Sequence, residues 1–139
     1  EIGVRLVGSE MCIRDRSQIN NINARDKGMI VYGYLPLMLS RNCPVKNDIG
    51  CFECDKHGKL TDRKGMEFPV MCSDFPCVEM LNCHPLYMLD RLDEVKTDFI
   101  HFYFSIESKK QVEKVIALYE NRGKPDFKYT RGLYQRGTL

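Results

Sequence analysis

The sequence predicts an α/β fold, and three stretches carry that expectation. Residues 29–39 are apolar almost throughout (Val31, Tyr32, Leu35, Leu37, Met38, Leu39), as expected of a strand buried on both faces in a parallel sheet. Residues 98–105, D-F-I-H-F-Y-F-S, are aromatic and read as a second strand. Residues 107–122 place Val112, Val115, Ile116 and Tyr119 at helical spacing, with Gly123 and Pro125 as stop signals. Strands and helices in alternation are the grammar of an α/β domain.

The remaining elements follow in order. Residues 10–16 resemble the translation of a sequencing transposase adapter. Residues 1–16, Cys12 included, are therefore expected to be an artefact outside the fold, and residues 17–139 the protein proper. Residues 17–27 are polar, with three Asn, and read as a frayed helix end or a loop. Pro36, inside the first apolar run, is expected to end regular pairing near there. Residues 41–57 combine Pro, Asn, Asp and Gly with Cys43, Cys51 and Cys54 and are expected to form a loop. Unstructured loops of such length are usually functional or pinned by a metal. Residues 59–71 alternate around Asp62-Arg63-Lys64-Gly65 and predict a β-hairpin turning at Gly65. Pro85 is expected to open a helix, with Leu86, Met88, Leu89 and Leu92 as its apolar face.

Composition narrows the function classes. The chain of 139 residues suffices for one domain with a real core. Its net charge of +2 is too mild to argue for nucleic acid by itself. The artefact carries three acids and three bases, so that charge is unchanged without it. No apolar run reaches the length of a membrane span, and nothing resembles a signal peptide. A cytoplasmic setting is expected, in which cysteines are thiols or metal ligands rather than disulfides.

Six of the seven cysteines lie between residues 29 and 83. Cys43, Cys51, Cys54 and Cys77 are separated by seven, two and twenty-two residues, and Cys72 and Cys83 flank the last of them. The Cys51-x-x-Cys54 pair brings two thiolates within reach of one metal, and turns can fold the outlying cysteines back towards it. Four convergent thiolates suit zinc or an iron–sulfur cluster equally well, and the spacing does not choose between them. Cys83 precedes the expected helix and reads as a packing residue, since unligated Cys is commonly buried.

Two further sets of residues bear on function. Arg63 and Lys64 fall at the expected hairpin tip, and Arg131 and Arg136 lie in a tail interleaved with Phe127, Tyr129 and Tyr134. Bases stack on aromatic rings while Arg or Lys holds phosphate, so this pattern can grip single-stranded RNA. The plainer reading is a solvated turn and a tail packed by its own rings. A hydrolase needs an activated nucleophile or a metal-bound water. His57, His84 and His101 are isolated, and neither H-E-x-x-H nor G-x-S-x-G occurs. His57, near the cysteine loop, is a candidate metal ligand but more plainly a loop residue facing solvent, and His101, on an aromatic strand, reads as a satisfied core histidine.

Several segments occur in the order of a known family. They are Tyr32-Gly33-Tyr34-Leu35-Pro36-Leu37-Met38, Asp62-Arg63-Lys64-Gly65 with Phe68-Pro69-Val70, and Leu81-Asn82 with Pro85-Leu86. The last is Tyr129-Thr130-Arg131-Gly132-Leu133-Tyr134-Gln135-Arg136-Gly137. Over about residues 17–139 the chain resembles the bacterial collagenase-like peptidase family of unknown catalytic type. Tyr34 stands where many members have Arg, and cysteine spacing differs between branches. The resemblance implies the C-terminal part of a (β/α) TIM-barrel-like domain with a cysteine-rich loop and a β-hairpin insertion. The missing N-terminal part of the same protein would then be its partner. Members are tied to oxygen-independent hydroxylation of RNA (tRNA or rRNA) or of small aromatic quinone precursors, with a 4Fe–4S cluster. The matching ligand positions are Cys43, Cys51, Cys54 and Cys77, with Cys72 as substitute for Cys51 or Cys54. Two alternatives stand beside this reading: a metal-dependent peptidase, as the family's name suggests, and a zinc-stapled RNA-binding module.

Overall fold

The structure, a computed structural model, describes residue 20 and residues 26–50, 57–72 and 77–132, without the side chains of residues 47–49 and 57. The expected adapter segment, Cys12, Cys51, Cys54 and the tail beyond Gly132 lie outside the described residues. The chain divides into two compact units, one made of Glu1–Gly33 with Leu86–Leu139 and one of Tyr34–Pro85. Helix and sheet are mixed, in two separate sheets, and no closed barrel occurs among the described residues. No helix among them is long and apolar enough to cross a membrane.

The first unit is built on β1 (Gly28–Gly33), whose residues after Gly28 are all buried. It is the centre of a three-stranded sheet with β6 (Leu86–Tyr87) on one side and β7 (Phe99–Tyr103) on the other. The pairing with β7 is parallel and that with β6 antiparallel, so the expected parallel neighbour is present. Val31 is an extra residue in β1, because Ile30 pairs with His101 and Tyr32 with Phe102. The Val31 carbonyl accepts the Met88 N–H at 3.0 Å and the Tyr119 hydroxyl at 2.6 Å. The Met88 N–H also lies 3.2 Å from the Tyr119 oxygen, so one phenol ties a strand, a turn and a helix together. Burial pushes the pKa of Tyr119 well above the ordinary tyrosine value. Tyr87 is raised for the same leading reason, with Asp90 adding to it, and donates its hydroxyl to the Gly123 carbonyl at 3.0 Å.

The helix expected after the second strand is α2 (Lys109–Glu120). It begins where the Ser108 N–H donates to Gln111 Oε1 at 2.8 Å, half of a reciprocal cap. It ends where the Asn121 and Gly123 N–H groups close on Ala117 and Leu118. Val115 is its buried residue. With Tyr32 and Tyr87, Val115 forms a core lined by Leu89, Phe102, Phe104, Tyr119 and Phe127. The rings meet mostly edge to face, as for Phe102 and Tyr119 at 4.8 Å between centroids, the arrangement their quadrupoles favour.

Two expectations for this unit are corrected. Pro85 does not open a helix: Leu86 and Tyr87 pair with β1, and a 3-10 helix (Leu89–Glu94) follows. The apolar residues Leu86, Leu89 and Leu92 recur every three positions, the repeat of a 3-10 turn rather than of an α-helix. His101 is exposed on β7, not a core histidine, because the part of that strand at Phe99–His101 has its side chains uncovered.

The second unit is a four-stranded antiparallel sheet. Its strands are β2 (Pro36–Ser40), β3 (His57–Thr61), β4 (Glu67–Cys72) and β5 (Val78–Leu81), in the order β2-β5-β4-β3. The apolar run 29–39 is thus two strands in two units: regular pairing stops after Gly33, near Pro36 as expected, and Pro36 itself opens the second strand. An edge strand tolerates this proline. The hairpin between β3 and β4 forms as expected, with Gly65 at φ 77°. The Asp62 carboxylate accepts the Lys64 and Met66 N–H groups at 2.7 and 2.9 Å and fixes the turn. The expected loop 41–57 contains α1 (Pro44–Ile49), with Pro44 in the first turn, where a missing N–H does no harm. One face of the sheet carries Val70, Val78 and Met80, against which Cys43, Val45 and Leu60 pack. Gly58 permits this approach, since a Cβ there would lie 2.3 Å from Val45 Cγ2.

Candidate metal centre

Strand direction decides where the cysteines of the second unit fall. Ser40, the last residue of β2, is opposite Val78, the first of β5, and Val78 is opposite Cys72, the last of β4. Met71 in turn pairs with His57, the first residue of β3. All four strands therefore present one end together: two C-termini and two N-termini alternate across it. Cys72 lies at that end, Cys77 directly precedes Val78, and Cys43 follows Ser40 by three residues as the cap of α1. At a strand spacing of about 4.8 Å, Ser40, Val78 and Cys72 span only about 10 Å of sheet.

Cys51 and Cys54 are outside the described residues. In the sequence they fall between Gly50, the C-cap of α1, and His57, which opens β3 at this same end. His57 was expected in a loop and is instead a strand residue. Side-chain alternation puts Cys72 on the face of Val70, Val78 and Met80, the face that also receives Cys43. Cys43 and Cys77 are half-buried and Cys72 is exposed. Among the described residues no three His, Cys, Asp or Glu side chains gather closely enough to hold a metal. A four-thiolate centre at this end accordingly requires at least one of Cys51 and Cys54. Cys83 belongs elsewhere: it follows Leu81 at the opposite end of β5, and its thiol points to Asn82 Oδ1 at 3.4 Å.

Arg63 and Lys64 do not join the cysteines of their own unit. Arg63 and Lys64 are exposed at the β3–β4 turn. At about 3.3 Å per residue, the length of β3 sets them roughly 13 Å or more from the cysteine end. Arg131 is in the other unit, where its guanidinium pairs with Asp90 and lies 5.8 Å from the centre of the Tyr129 ring. Thr130 beside it bridges to Leu86, and its carbonyl accepts the Tyr87 N–H at 3.0 Å. The start of the tail is thus pinned to β6 by its backbone, which spacing alone did not reveal. Lys114 holds the exposed Asp126 carboxyl below its usual range through a 2.6 Å contact.

No family model, curated protein or solved structure matches the chain.

Proposed function

We propose that the second unit binds an inorganic centre through Cys43, Cys51, Cys54 and Cys77, with Cys72 as the substitute ligand. The observation that carries this reading is the shared sheet end, to which Cys43, Cys72 and Cys77 are delivered by three different strands. Thiolates are soft donors, and such a set fits iron–sulfur or zinc better than magnesium or calcium. In this reading the centre is a 4Fe–4S cluster, and the whole protein is a collagenase-like family member hydroxylating tRNA, rRNA or a small aromatic precursor without oxygen. The cluster, when bound, supplies electron transfer. The chain's own part is to orient the thiols and to shield Cys43 and Cys77 partly from water. Arg63, Lys64 and Arg131 are the candidate RNA contacts, and Arg131 has to leave Asp90 to serve.

The first unit is read as part of a TIM-barrel-like (β/α) domain. Its parallel β1–β7 pair followed by α2 supports this, as do Phe99 and Ile100, 52 % and 40 % exposed on the edge strand β7. A cytoplasmic setting accompanies a reduced cysteine set.

A zinc staple is the second reading, favoured by the small core of the second unit. Val70, Val78 and Met80 form its buried cluster among the described residues, Leu81 is buried as well, and small cores commonly need a metal or a crosslink. Anaerobic purification of the full chain followed by iron, sulfide and zinc analysis separates the two. Iron with matching sulfide and a brown colour is the expected result, one equivalent of colourless zinc selects the staple, and absence of both overturns the proposal.

A further inference from the structure

No further inference is drawn: the strongest candidate, the exposed apolar residues Leu37, Met38 and Leu39 on the edge strand β2 of the four-stranded sheet, carries nothing because no feature of the structure shows what covers them.

Discussion

Replacing Tyr119 with phenylalanine removes one oxygen and leaves the ring in place. That oxygen donates to the Val31 carbonyl and lies within reach of the Met88 N–H. The Val31 carbonyl keeps its bond from Met88 at 3.0 Å, so neither backbone group becomes fully orphaned. The expected loss is therefore about 1–2 kcal/mol, the value of one good buried hydrogen bond plus a weaker one. Tyr119→Ala also removes the ring contacts to Tyr87 and Phe102, at 5.4 and 4.8 Å, and is expected to cost about 3–5 kcal/mol. Urea unfolding followed by far-ultraviolet circular dichroism measures both, and amide exchange at Met88 reports the site itself. If Tyr119→Phe unfolds at the parent's midpoint with Met88 exchange unchanged, the lock between strand, turn and helix is not a stabilising feature.

The alkaline limb of stability tests the same groups. Folded Tyr119 and Tyr87 hold their protons more tightly than unfolded tyrosine, so their contribution is intact below about pH 10 and falls as pH rises beyond it. Tyr119→Phe should flatten that fall, and a parent stability that is level from pH 9 to 11 would contradict it. For the metal reading, Cys43→Ser and Cys77→Ser should each abolish retention of iron or zinc while Cys83→Ser keeps it; equal retention in all three removes the proposed ligand set. Gly58→Ala drives a methyl into Val45 and is expected to destabilise the second unit by about 1–3 kcal/mol, read as a lower urea midpoint. An unchanged midpoint would mean that α1 does not rest on β3.

The two strands of the parallel pair and α2 were legible because their signals are local. An uninterrupted apolar run, a cluster of aromatics and a 3.6-residue repeat each bury one surface in one direction. The turn at Gly65 was legible for a similar reason, since Asp62 and Gly65 set its backbone without help from the rest of the chain. The break between β1 and β2 was hidden because the run stays apolar as it passes from one unit to the next. Leu37, Met38 and Leu39 look like core residues but are more than half exposed. The turn after Pro85 is hidden in the sequence because a three-residue apolar repeat resembles a helical one over two turns, and only the pairing of Leu86 and Tyr87 with β1 excludes an α-helix there. For the candidate centre, sequence spacing identified a cysteine-rich region but not the shared sheet end. That end emerges from antiparallel register, which depends on contacts between residues far apart in the chain. Cys83 falls at the opposite end of β5 because of that strand's direction, a placement the spacing of the cysteines does not carry.

Gly33 and Leu86 are register partners, although all of the second unit lies between them in the chain. Its points of departure and return are therefore clamped side by side, as at the neck of a hairpin. For a flexible loop, each doubling in length adds only about 0.6 kcal/mol to closure. The neck is consequently a place where whole cassettes can be exchanged, shortened or enlarged while β1 and β6 keep their ladder. Conversely, a cassette that has already collapsed brings Gly33 and Leu86 close before they pair, so its folding lowers the entropic barrier to completing the host sheet.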